Sequence, residues 1–180
     1  SVSAVQSIYL ALLVSLPIMF VGIFFSEDLL RLMGATNEVI SEGSGYTKLT
    51  LGFNLIVILL FLINGIFRGA GDAALAMRSL WIANSINIIL DPMLIFGIGP
   101  FPKLGIEGAA IATIIGRSLG IIYQLYHLSR GKGLIKIHKD NWHLKPTIIW
   151  RLVKLSAGVT AQFIISSASW IFLMRIISTF

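Results

Sequence analysis

Residues 84–113 read NSINIILDPMLIFGIGPFPKLGIEGAAIAT and set a carboxylate, Asp91, inside an otherwise apolar run. Taken back to Ser79, the run SLWIANSINIILDPMLIFGI is about 20 residues long, enough to cross the hydrocarbon core of a bilayer. A charge at that depth costs at least about 2.5–3.5 kcal/mol unless it faces protein, water or a cation. Asn84, Asn87 and Asp91 recur at i, i+3 and i+7, which places three polar groups on one face of a helix. Pro92 follows directly, removes a backbone donor and disfavours the α conformation at Asp91, so a kink with irregular backbone is expected there. A carboxylate beside broken backbone at membrane depth is the build of an ion site. The plainer alternative is a polar seam between helices, for which the asparagines alone would suffice.

The composition agrees with a membrane setting. Of 180 residues, 56% are hydrophobic and only 12% charged, about half the charged share of soluble domains. There is no Cys, which excludes a disulfide framework, a thiolate metal site and a cysteine nucleophile. The chain starts at Ser1 with no basic segment and no small-residue cleavage site, and stops at Phe180 within an apolar run; it reads as a fragment of a longer protein.

The expected fold class is an all-α integral membrane protein, a polytopic bundle with about five transmembrane helices. Spans are expected at about 4–25, 45–67, 79–98, 105–128 and 155–180. Pro17 should kink the first. Residues 26–44 read as two short amphipathic pieces split at Gly34, with Ser26 and Thr36 or Asn37 as caps. The two prolines of GPFPKLGIEG, residues 99–108, force the third and fourth spans into an antiparallel pair. Gly108, Ala112, Gly116 and Gly120 form a small-residue stripe at i+4 spacing, read as a close helix-packing face.

The net charge of +6 is unevenly placed. Arg68 and Arg78 fall in the second connection, and Arg130, Lys132, Lys136, Lys139, Lys145, Arg151 and Lys154 in the fourth; Arg31 and Lys103 alone occupy the other two. This asymmetry puts the connections 68–78 and 130–154 in the cytoplasm and speaks against nucleic-acid binding.

With that orientation Asp91 and Thr113 lie at similar depths, roughly 10 and 12 Å below the outer helix ends, so they can meet across the pair. Asp91, Asn87 and Thr113 offer hard oxygen ligands for Na⁺ or a proton relay, with Asn84 and Arg117 as weaker pathway-lining candidates. The three histidines lack the i, i+4 pairing of a zinc motif. No phosphate loop and no nucleophile with an adjacent base is present, so neither an enzyme nor a cofactor is expected beyond a coupling ion.

These residues resemble the multidrug and toxic compound extrusion (MATE) transporters. RGAGDAALAM, residues 68–77, resembles the family's R-x-x-G-D-x-x-x-P-M loop, with Ala76 where the family usually has Pro. NIILDPMLIFG resembles its fifth helix, FPKLGIEGAAIAT the turn into its sixth, and the basic linker with WRLVKLSAG the join between its halves. The resemblance implies about helices three to seven of a two-lobe, twelve-helix transporter: residues 1–129 in the N-terminal six-helix lobe, 130–154 an inter-lobe linker, and 155–180 the first helix of the C-terminal lobe. Helices 1–2 and 8–12 would be absent from the chain. It further implies a bacterial inner-membrane antiporter that exchanges Na⁺ or H⁺ for cationic or amphipathic drugs by alternating access, with a cation site at Asn87, Asp91 and Thr113. The last span holds no acid where one branch of the family has a glutamate, which shifts weight to Asp91. The alternatives are a lipid-linked oligosaccharide flippase of the same superfamily and a non-transporting membrane scaffold. An intramembrane hydrolase would need a second acid or a Ser/His pair at matching depth.

Overall fold

A computed structural model describes residues 2–129 and 145–177 as helices and short connections, with no strand among the described residues. The chain divides into two units, residues 1–142 and 143–180. In the first, α1 (Val2–Phe24), α2 (Ser26–Leu32), α3 (Asn37–Gly52), α4 (Asn54–Gly69), α5 (Ala73–Phe96) and α6 (Gly105–Ser129) form a bundle. The second is α7 (Pro146–Ile177). Among the described residues four helices are long and apolar enough to cross a membrane, and a fifth span results if α3 and α4 count as one bent crossing. The chain is a multi-pass, all-α membrane protein.

Local chemistry explains the helix ends. Ser26 is no cap: α2 follows Phe25 directly with no side-chain cap. Thr36 does cap α3, its side chain accepting from the Val39 N–H at 3.4 Å. That cap and Glu38 in the first turn start α3 at Asn37, ahead of the expected Gly45, so the polar stretch and the start of the span form one helix. The span then breaks at Phe53, where α3 and α4 meet at 44°. Asn54 causes the break: its Nδ2 donates to the Leu51 carbonyl at 2.8 Å and reaches the Ser15 carbonyl of α1 at 3.4 Å. A short amide side chain that captures backbone carbonyls competes with helical bonding, and Gly52 beside it is a weak helix former.

The irregular backbone expected beside Asp91 at Pro92 does not occur. Helix α5 runs without interruption through Asp91 and Pro92 to Phe96 and ends on Gly97, left-handed at φ 72°. Proline forfeits one backbone bond, to the Ile88 carbonyl, and the neighbouring turns hold the helix together. The connection before α5 is equally short. Asp72 caps the helix by accepting from Leu75 N–H at 3.1 Å, so the helix begins at Ala73 and already includes Arg78. Replacing Asp72 by Ala is expected to cost about 1 kcal/mol, read as a lower unfolding midpoint.

Helices α5 and α6 pack most extensively, and the small-residue stripe is the reason. A Cβ on Gly108 would lie 2.6 Å from the Leu94 carbonyl oxygen, and one on Gly116 2.6 Å from that of Ala83. On Gly120 it would meet Ser79 O and Leu60 Cδ1 at 3.1 Å. The two backbones therefore touch, as small residues permit in lipid. In the middle of α3, Gly45 leaves room for the Glu107 carboxyl of α6.

The core of the first unit lies among α4, α5 and α6, where Leu60, Ile63, Phe67, Leu75, Ala76, Ala83 and Ile121 are buried together. Helix α7 begins at Pro146, inside the expected linker 130–154, because Pro is well suited to a first helical turn. Residues 130–144 of that linker, and 178–180 of the last expected span, lie outside the described residues.

Candidate functional site

Asn87, Asp91 and Thr113 come together on facing turns of α5 and α6. The Asn87 Nδ2 group donates one hydrogen bond to Asp91 Oδ1 at 3.0 Å and another to Thr113 Oγ1 at 3.1 Å. Both lengths are ordinary for N–H···O bonds. Asp91 and Thr113 therefore meet through the amide rather than directly. The i, i+4 step from Asn87 to Asp91 supplies one contact, and the antiparallel α5–α6 pair supplies the other.

Gly116 makes the second contact possible. With hydrogen in place of a side chain, it sits against the Ala83 carbonyl and the Asn87 backbone, so α6 approaches near enough for Thr113 to reach the amide. The three side chains are half-buried. Both N–H hydrogens of Asn87 are used, while Asn87 Oδ1, Asp91 Oδ2 and the Thr113 hydroxyl hydrogen have no partner among the described residues. One carboxylate, one amide oxygen and one hydroxyl are hard donors suited to Na⁺, and the carboxylate alone suffices to carry a proton. Among the described residues no three His, Cys, Asp or Glu side chains cluster.

The other two sequence candidates stand apart from this trio. Asn84 is on the same face by spacing, but it is exposed and forms no hydrogen bond among the described residues. Arg117, one turn along α6 from Thr113, is half-buried and borders a small cavity with Thr50, Phe53, Ile56, Val57 and Thr113. It thus faces the α3–α4 break.

A second polar cluster was not foreseen. Ser79 Oγ donates to Asn64 Oδ1 at 3.0 Å and accepts from Gln124 Nε2 at 2.8 Å, tying α4, α5 and α6 together inside the apolar core. All three are essentially sealed off, at 1% exposure or less. Asn64 Nδ2 and Gln124 Oε1 have no partner among the described residues. The signal available in the sequence was equal depth: Asn64, Ser79 and Gln124 each lie about five or six residues, roughly 8 Å, from the basic end of their helix. Ser79→Ala removes the shared hydroxyl and is expected to cost about 1 kcal/mol, given full burial on one hand and the modest hydrogen-bond values in membranes on the other. An unchanged unfolding midpoint in detergent would show the cluster to be energetically silent.

Comparison with known proteins shows the family of the chain. The family model MatE matches residues 1–93, which include Asn87 and Asp91. The probable multidrug resistance protein YoeA of Bacillus subtilis is 34% identical over 119 residues, covering 66% of this chain and 26% of the relative. The FAD transporter of Shewanella oneidensis is 41% identical over 93 residues, 52% of this chain and 21% of the relative. The multidrug export protein MepA of Staphylococcus haemolyticus is 30% identical over 141 residues, 78% of this chain and 30% of the relative. The chain thus spans between about a fifth and a third of these relatives.

Among solved structures, an inward-facing multidrug resistance MATE family transporter of the MOP superfamily superposes with a TM-score of 0.75 at 28% identity, over 84% of this chain and 34% of that one. A MATE crystal structure in the bent conformation gives 0.75 at 26% identity, over 89% and 37%. With half of its residues matched by the family model and its bundle superposed on these structures, the chain belongs to the MatE family of membrane transporters.

Proposed function

We propose that this chain is part of a cation-coupled antiporter that exports amphipathic organic compounds by alternating access, and that Asp91, Asn87 and Thr113 bind the coupling ion. The observation that carries this reading is the pair of hydrogen bonds from one Asn87 amide to Asp91 and Thr113, which gathers three oxygen-bearing side chains at about the same depth of two apolar helices. A half-buried carboxylate between membrane-spanning helices is costly to keep, and such groups mark ion and proton pathways. Na⁺ would take the ionised carboxylate together with the Thr113 and Asn87 oxygens, and a proton would neutralise Asp91 and release the pull on its neighbours. In either case the charge of the site changes once per cycle, which is what a two-state transporter needs in order to bias its conformations.

The relatives' names cover multidrug exporters and a FAD transporter, so the supported cargo class is an amphipathic molecule with an organic ring system. In this reading residues 1–129 belong to the N-terminal lobe, 130–154 join the lobes, and 155–180 open the C-terminal one, in a bacterial inner membrane with 68–78 and 130–154 on the cytoplasmic side. Remaining ligands come from the rest of the transporter.

The test uses the full-length transporter in proteoliposomes loaded with a fluorescent cationic dye. An imposed inward Na⁺ or H⁺ gradient should drive dye export, and the gradient that works names the ion. Export that is indifferent to both gradients would remove the coupling proposal and favour a gradient-independent flippase or a scaffold.

A further inference from the structure

Arg117 holds a charge that the Asp91 cluster does not use. It lies about 12 residues from the start of α6 at Gly105, or roughly 18 Å along the helix, and so falls within a hydrocarbon core of about 30 Å. Its side chain is half-buried beside Phe53 and Thr50 at the α3–α4 break and beside Thr113 on its own helix. No hydrogen bond or ion pair to it exists among the described residues. Of the described carboxylates on or beside α5 and α6, Asp91 accepts from Asn87, Asp72 caps α5, and Glu107 lies against Gly45 in the first turn of α6, ten residues before Arg117. The C-terminal end of α3 at Phe53 contributes only the partial negative charge of its free carbonyls.

A guanidinium at this depth is costly unless it is paired or reaches water, and a full counter-charge is its strongest partner. Its planar fork suits the two oxygens of a carboxylate or phosphate, and Phe53, which lines the same small cavity, is about half exposed. Thr113 belongs to both settings, since it lines the Arg117 cavity and accepts from Asn87. Asp91 lies one turn to one side of the Asn87–Thr113 contact and Arg117 one turn to the other, about 12 Å apart along the helix axes.

We infer that Arg117 is an oxyanion-binding position, which gives this lobe a second pole opposite in sign to Asp91. The oxyanion is the carboxylate or phosphate of a carried amphiphile, or an acidic side chain from the part of the transporter beyond this sequence. The inference rests on the chain being part of a transporter, but not on Asp91 as the coupling site. Within the proposed cargo class it favours molecules that carry an acidic group as well as a ring system.

The experiment compares wild type, Arg117→Gln and Arg117→Lys in the full-length transporter in detergent. Binding of fluorescein, an anionic ring system, and of ethidium, a cationic one, is followed by anisotropy, together with the unfolding midpoint. If cargo supplies the oxyanion, Arg117→Gln weakens fluorescein binding at least about tenfold, the worth of a charge-assisted pair. Arg117→Lys then recovers part of it, ethidium affinity stays within about threefold and the midpoint holds. If the protein supplies the acid, the midpoint falls in Arg117→Gln and recovers in Arg117→Lys, with both dyes weakened alike. Unchanged midpoint and unchanged dye binding in Arg117→Gln, or a wild type that binds no fluorescein with a variant of unaltered midpoint, would overturn the assignment. Gradient-driven ethidium export by the wild type reports separately on the transporter reading.

Discussion

Gradient-driven export by the full-length transporter should collapse when Asp91 is replaced by Asn, by at least about tenfold, with little change in protein yield or unfolding midpoint. The expected magnitude follows from losing one charged ligand of a small ion site, where even indirect partners are worth 10–100-fold in affinity or activity. Stability should survive because the substitution is nearly isosteric. An Asn at this position retains a carbonyl oxygen that accepts from Asn87 Nδ2 at the same 3.0 Å, so the Asn87 bridge to Thr113 can persist. What disappears is the charge that Na⁺ requires and the oxygen that a proton would titrate. Asp91→Glu keeps the charge but moves it by one methylene, so export should fall in between. An Asp91→Asn transporter that exports as wild type does would reduce the trio to a packing seam and move coupling to other parts of the protein.

The helical architecture was legible in the sequence because it depends on composition over long windows. Apolar runs bounded by Pro, Gly and basic residues survive most local detail, and the spans read from them overlap the helices observed. Local competition at helix ends and breaks was less legible. Pro92 was expected to make the backbone beside Asp91 irregular, and the helix instead continues through it, because a single missing N–H is tolerated when neighbouring turns and a packed partner helix remain. Asn54 was noted only as an interruption, and it makes the real break by pulling on Leu51 and Ser15 carbonyls. The second of these contacts joins residues far apart in the chain, so no local window could show it.

The same distinction holds for the site. The spacing of Asn87 and Asp91 put them on one face, and helix register put Thr113 at their depth; both are properties of regular helices. That Asn87 holds the other two, while Asn84 stays exposed, depends on where α6 lies against α5. The buried Asn64–Ser79–Gln124 cluster needed three helices in place before its members became neighbours.

Gly116→Ala carries the second large expected effect, and it tests the packing that assembles the site rather than its charge. An added Cβ would stand 2.6 Å from the Ala83 carbonyl oxygen and 3.4 Å from the Asn87 nitrogen. Both are backbone atoms in the middle of α5, so no side chain can swing aside, and one helix has to move. Overpacking of this kind typically costs about 1–3 kcal/mol. The displacement also acts on geometry, because the Asn87–Thr113 bond at 3.1 Å is already near the long end of the favourable range and a few tenths of an ångström weaken it. Gly116→Ala should therefore lower the unfolding midpoint and reduce gradient-driven export together, whereas Asp91→Asn reduces export alone. Two further glycines separate the causes. Gly65→Ala adds a methyl where nothing lies within 4 Å, and the gain in helix propensity should leave the midpoint unchanged or raised. Gly108→Ala meets the Leu94 carbonyl at 2.6 Å, a clash of the same size on the far side of Asp91 from Asn87, so its midpoint should fall as far while export falls less. If Gly116→Ala kept both its midpoint and its export, the two helices would have slack at their closest approach, and the position of Thr113 against Asn87 would have to be fixed by something other than the glycine.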